Sequence, residues 1–118
     1  MKAAVLLQKC TTNKKTFGIR IEEREDGEWY KTWTFPIDEA RAIRENFHNT
    51  RVVSFLPEGE GYPGCPYCGA KTAFYDTNCG GKLTCYHGES VITCQWCNTT
   101  YDDHAPSQDK LTYTGGDY

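Results

Sequence analysis

Cys65-Pro66-Tyr67-Cys68-Gly69 and Cys94-Gln95-Trp96-Cys97-Asn98 place four thiols in two C-x-x-C units with 25 residues between them. One such unit is ambiguous. Two, joined by a strand-rich stretch, are the pattern of a single tetrahedral four-thiolate metal site. Each unit turns the chain so that both sulfurs face one ion, at about 2.3 Å if the ion is zinc. The residue after the second cysteine must accept a positive φ, and Gly69 and Asn98 both suit that position. Cys65, Cys68, Cys94 and Cys97 are therefore the expected ligands and zinc the expected ion; iron in a rubredoxin-like site takes the same four thiolates.

Three further cysteines need weighing. Cys79 and Cys85 lie between the two units, and with His87 they suggest a second ion whose fourth ligand is not visible. The plainer reading makes Cys85 a buried strand residue and puts Cys79 in a loop. Cys10 reads as a plain core or edge thiol. Cys-Pro-Tyr-Cys is also a redox dithiol pattern, but that chemistry needs the first cysteine at a helix N-terminus, and the βαβ context is missing. Asp102-Asp103-His104 is an acid–imidazole cluster without a nucleophile, and His48 reads as a surface residue. No phosphate-binding or dinucleotide glycine pattern is present. Trp29, Trp33, Phe35 and Phe47 read as core. Trp96, inside a C-x-x-C unit, either covers thiolates or anchors a partner.

The elements that must hold these residues are mostly strands. Ala3–Leu7 reads as a short strand and 11–15 as a polar turn. Phe17, Ile19 and Ile21 alternate with Gly18, Arg20 and Glu22 as a half-buried strand does. Asp26-Gly27 turns the chain into a returning strand, Trp29–Phe35, which Pro36 ends. Asp38 caps a helix over Glu39–Phe47, with Ala40, Ile43 and Phe47 on its apolar face. Val52–Leu56 is a further strand, and the Gly- and Pro-rich stretch 57–64 a linker. Ala73–Tyr75, Lys82–Tyr86 and Val91–Thr93 read as short strands, the last two joined by a turn at 87–90. Residues 105–118 lack a pattern and read as a flexible tail.

At 118 residues, 38% hydrophobic and 14% aromatic, the chain can bury only a modest core. A cysteine segment of under about 50 residues needs a staple such as a metal. Residues 1–64 balance ten basic against ten acidic side chains, whereas residues 65–118 carry three against six. Four thiolates around a divalent ion add about −2 more. Nucleic-acid affinity rests on Lys and Arg neutralising phosphates, so this half argues against that role. The apolar run at the N-terminus is too short for a signal peptide, and no run approaches the about 20 residues of a membrane span. A reducing cytoplasm, where paired cysteines take metal, is the expected compartment.

The block Pro63-Gly64-Cys65-Pro66-Tyr67-Cys68-Gly69, then Cys79-Gly80-Gly81-Lys82-Leu83-Thr84-Cys85, then Gly88-Glu89 and Val91-x-x-Cys94-x-Trp96-Cys97, resembles the TerY-C metal-binding domain family. Trp33-x-Phe35-Pro36 upstream looks similar too. The family is known from operons of the tellurite-resistance and chemical-stress type. There the domain usually follows a von Willebrand A domain, beside a kinase and a phosphatase. The resemblance implies a metal-binding module in a signalling system, here in a stand-alone version.

Together these readings predict an α+β protein. An N-terminal β-hairpin and helix (residues 1–61) pack on a zinc-ribbon-like, rubredoxin-like antiparallel unit (62–104), followed by the tail 105–118. The expected function is non-enzymatic: a zinc site that stabilises a surface for a protein partner, signalling or stress-related, with no membrane role. A thiol-redox protein using the Cys65/Cys68 pair and a nucleic-acid-binding ribbon are the alternatives.

Overall fold

Strand alternation organises this chain. The computed structural model describes residues 2–44, 50–54, 58–76, 82–88, 90–101 and 111–117. Strand β1 (Ala3–Lys9) runs antiparallel to β2 (Thr16–Glu23), with Ala4 opposite Ile21, Leu6 opposite Ile19 and Gln8 opposite Phe17. Residues two apart share a face. Leu6, Phe17, Ile19 and Ile21 therefore gather on one side, all fully buried. Each contributes about 2 kcal/mol by leaving water. β3 (Trp29–Pro36) returns antiparallel to β2 through the Asp26-Gly27 turn, with a bulge between Arg20 and Ile21.

The other face of β1 offers Val5 and Leu7, which pack with Phe35, Ile37 and Ala42. Ala42 belongs to helix α1 (Glu39–Arg44), capped as expected by Asp38, whose Oδ1 accepts the Arg41 amide at 2.7 Å. One expected member of the apolar face differs. Ala40 is exposed and Ala42 is buried, because two residues separate the helix from β3 and the buried Ile37 fixes its rotation. The Ile43 side chain and Phe47 lie outside the described residues.

The cysteine half is woven into the same sheet. β5 (Thr72–Asp76) pairs antiparallel with β6 (Lys82–Tyr86), and β6 runs parallel to β1. β4 (Thr50–Ser54) pairs with β9 (Leu111–Asp117), and β9 also pairs with β1 at residues 4–6. The outer edge of β1 is thus shared, β9 taking its first half and β6 its end. A separate two-stranded sheet, β7 (Ile92–Thr93) with β8 (Thr100–Tyr101), frames the second C-x-x-C unit.

Several expectations are corrected. The protein is mostly β, with one short helix among the described residues, rather than α+β. The C-terminal half does not form a separate antiparallel ribbon, since β6 joins β1 in parallel and the sheet crosses the expected boundary at 61/62. Within the expected tail, residues 111–117 form a strand. Gly115 and Gly116 weaken its local strand signal, but pairing on both edges compensates. The turn at 87–90 does not join a hairpin, because β7 pairs with β8. The supposed linker docks on β3, with the Gly59 amide donating to the Lys31 carbonyl at 2.8 Å and Tyr62 buried. Trp33 is 56% exposed on the edge strand, opposite Arg20 and away from the core. No helix among the described residues is long and apolar enough to cross a membrane.

Tyr113 of β9 is buried and meets Tyr75 edge-on at 5.3 Å between ring centroids. Tyr113→Ala is expected to destabilise the fold by about 3 kcal/mol, as large-to-small aromatic changes in cores do. Urea denaturation reads this directly, and an unchanged midpoint would return residues 111–117 to a loose tail.

Candidate metal centre

Four thiols converge beneath the sheet. The Sγ atoms of Cys10, Cys65, Cys68 and Cys85 all lie within 4.8 Å of one another. A tetrahedral zinc site with bonds of about 2.3 Å needs sulfurs about 3.8 Å apart, so small inward shifts close the group around one ion. Cys10, Cys65 and Cys85 are buried, and Cys68 is half-buried on the solvent side.

Strand register brings the first pair together. β1 and β6 pair in parallel, Gln8 beside Leu83 and Lys9 beside Thr84. One residue further sets Cys10 beside Cys85. Two residues back on the same face, the buried Gln8 donates from Nε2 to Cys85 Sγ at 3.2 Å. The other pair comes from the first C-x-x-C turn. The Cys65 amide donates to the Ala70 carbonyl (2.8 Å), the Gly69 amide to the Cys65 carbonyl (2.9 Å), and the Tyr67 amide points at Cys65 Sγ (3.4 Å). Gly69 takes φ +78°, as its position demands. Gly64 takes φ +81°, and a Cβ there would fall 2.8 Å from the Gly69 and Ala70 carbonyl oxygens, so the chain enters this turn only through glycine.

The same turn occurs three times. Around Cys94 the matching bonds are Cys94 amide to Thr99 carbonyl and Asn98 amide to Cys94 carbonyl, both 2.9 Å, with Asn98 at φ +61°. Around Cys10 they are Cys10 amide to Lys15 carbonyl (2.9 Å) and Lys14 amide to Cys10 carbonyl (2.8 Å), with Lys14 at φ +60°. Residues 10–15 are thus a metal-type turn with Asn13 where a second cysteine would stand. Sequence reasoning passed over Cys10 because C-x-x-N carries no ligand signature; the length of the polar turn after it was the only trace.

The structure groups the thiols differently from the expected set: Cys65 and Cys68 meet Cys10 and Cys85, so Cys85 joins the thiols of the first unit. Cys94 and Cys97 are not members of that group. Cys94 is buried beside Thr84, whose Oγ1 lies 3.9 Å from its sulfur and accepts the Gln95 amide at 3.2 Å. Adjacent strand residues face opposite ways, so β6 sends Cys85 to one side and Thr84, with the second unit, to the other. Trp96 ties that unit down, donating from Nε1 to the Leu83 carbonyl at 2.7 Å beneath the Lys9 ammonium. Cys97 Sγ lies 3.2 Å from Thr99 Oγ1. Cys79, His48, Asp102, Asp103 and His104 lie outside the described residues.

The thiols differ electrostatically. Burial pushes Cys68 up to about 11 and raises Cys85 further. At Cys10 burial also acts upward, but the Asn13 and Thr12 amides donate to its sulfur and hold the thiol below its usual value. His87 Nε2 lies 3.2 Å from Cys68 Sγ. Amide and imidazole N–H groups around the sulfurs are the kind of outer support that stabilises metal-bound thiolates. Cys65 leads into a turn at 66–68 rather than a helix, so the dipole that activates a redox thiol is missing there.

The TerY-C metal binding domain family matches residues 1–114. No curated protein and no solved structure matches the chain. An ion entering the centre must displace at least the protons of Cys68 and Cys85, both raised well above neutrality. Metal affinity is therefore expected to fall as pH falls, by about a hundredfold or more per unit below neutrality. Competition titration against a chromophoric chelator from pH 8 to 6 measures the slope, and a flat profile contradicts the assignment.

Proposed function

The chain belongs to the TerY-C metal-binding domain family, and from that premise we propose that it is a non-enzymatic zinc module whose ion holds a protein-interaction surface in shape. One observation carries the reading: four thiols from three distant chain segments meet within 4.8 Å. An unfolded chain has no such site, so the free energy of metal binding adds to that of folding. Four soft sulfurs favour zinc, or iron with the same ligands. A closed four-thiolate shell leaves no coordination position for a substrate, which supports a structural rather than a catalytic ion.

Cys94 and Cys97 extend the proposal. Their turn repeats the hydrogen bonds of the Cys65 turn to within 0.1 Å, so they offer a second thiol pair already folded for a metal. The redox alternative is less well supported, since Cys65 leads into a turn and lacks the helix N-terminus that favours a reactive thiolate. The acidic second half disfavours nucleic acid. A signalling partner and a tellurite or chemical-stress setting rest on the family resemblance, and a cytoplasmic location on the need to keep the thiols reduced.

Cobalt substitution tests the ligand set. The bound ion is expected to give tetrahedral thiolate bands. Cys10→Ser and Cys85→Ser should each weaken binding at this centre by more than about a hundredfold, because a ligand is lost from a site that folding must build. Cys97→Ser should leave those bands intact and lower only any stoichiometry above one. If Cys10→Ser and Cys85→Ser bind as the unaltered chain does while Cys94→Ser and Cys97→Ser fail, one ion held by the two C-x-x-C units is the correct assignment instead.

A further inference from the structure

We infer that a basic cleft beside the metal centre is the docking site for an acidic peptide segment of a protein partner. The cleft has a volume of about 590 Å³ and opens to solvent. Among the described residues Lys14, Lys15 and Arg41 line it, with one carboxylate, Asp38. That carboxylate caps α1, its Oδ1 accepting the Arg41 amide at 2.7 Å, and keeps its charge, so these side chains leave the lining net positive. Three cations thus converge on one concavity in a chain whose net charge is −3, so the concentration is local and not a by-product of a basic protein.

The walls belong to the centre itself. Lys14 and Lys15 end the Cys10 turn, and Tyr67 stands between ligands Cys65 and Cys68 in the chain. The Tyr67 hydroxyl donates to the Thr16 carbonyl at 3.1 Å, and its ring lies edge-on to the buried Phe17. The Lys15 ammonium sits 5.9 Å from the Tyr67 ring centroid. Pro36 and the buried Ile37 also line the cleft. An ion that joins the Cys10 turn to the Cys65 turn would therefore fix Lys14 and Lys15 in place relative to Tyr67, with Lys15 over its ring. In this respect the inference rests on the zinc reading.

Lys14 adds a second argument. It takes φ +60°, where the two C-x-x-C turns have Gly69 and Asn98. Glycine and asparagine adopt that conformation readily, while other side chains do so at a cost of about 1 kcal/mol. A lysine there keeps a charge at the cleft against its backbone preference. The size also speaks for a peptide: clefts of about 300–1,000 Å³ enclose ligands much larger than a single ion. Duplex or single-stranded nucleic acid needs a longer basic track than three side chains supply.

The test uses the full zinc-loaded chain, with zinc content measured on the same sample and hexaglutamate peptide as the probe. NMR shift changes are expected at Lys14, Lys15, Arg41 and Tyr67, with affinity that weakens as salt rises. K14G/K15Q removes two charges while relieving the Lys14 backbone and keeping a long side chain near Tyr67. It should weaken binding by about fivefold to tenfold, the size of two exposed ion pairs, with zinc content unchanged. Equal binding by that variant, or shifts elsewhere on the molecule, overturns the proposal. So does tighter binding of an oligothymidylate, which would assign the cleft to nucleic acid, or equal competition by inorganic phosphate at matched ionic strength, which would make it a simple ion site. A sample that holds zinc but ignores the peptide defeats the docking proposal alone; a sample without zinc defeats the metal reading.

Discussion

The parallel pairing of β1 with β6 is the constraint on which the rest depends. It covers only Gln8–Leu83 and Lys9–Thr84, yet it joins chain segments some 75 residues apart and sets Cys10 beside Cys85. Parallel strands need a crossover, and everything between them, including β2, β3, α1 and the Cys65 turn, is that crossover. The first C-x-x-C turn then has only to reach the end of the β1–β6 seam to complete the four-thiol group. A metal there would cross-link the ends of two strands and the crossover between them, holding together a contact that is short in backbone bonds.

Much of this was legible in the sequence, and the failures have a common cause. Phe17, Ile19 and Ile21 announce β2 because they alternate with Gly18, Arg20 and Glu22 and all three face the core. Lys82–Tyr86 is bounded as expected, and Gly69 and Asn98 take the positive φ that their turns require. These are local signals. The ligand partnership is not local. Two C-x-x-C units look like one site only if nothing in the fold separates them, and β6 does so by simple alternation, with Cys85 on one face and Thr84 on the other. Cys10 was invisible for the complementary reason: its turn has the hydrogen bonds of a metal turn, but Asn13 occupies the second ligand position. The tail expectation failed at Gly115-Gly116, where pairing to β1 and β4 overrides weak propensity.

Position in the turn also explains how the thiols divide labour. Cys10 and Cys65 are first in their turns and receive backbone amides at sulfur, from Asn13 and Thr12 and from Tyr67 respectively. Cys85 sits on a strand with no turn amides, and the buried Gln8 side chain takes their place at 3.2 Å. Gln8 is two residues before Cys10 on the same face, so one strand supplies both a ligand and the donor that supports its neighbour. A polar side chain this deep in an apolar cluster requires a partner. A sulfur that becomes negative on binding metal is a stronger one than a neutral thiol.

Burial and charge pull the centre in opposite directions, and the geometry reconciles them. Three of the four thiols are buried, which disfavours their charged form, while a metal requires all four as thiolates. A divalent ion reverses the balance locally but leaves about −2 on the completed group. The surroundings answer with dipoles on the buried side, from amides and Gln8, and with cationic or imidazole groups at the rim, where water screens them: His87 next to Cys68 on one side, Lys14 and Lys15 beyond Cys10 on the other. Dipoles need no counter-ion and cost little to bury once bonded, whereas a buried lysine would add its own desolvation penalty. Lys14 and Lys15 therefore keep their charge at the solvent-exposed edge of the centre, and the neutral donors do the interior stabilisation.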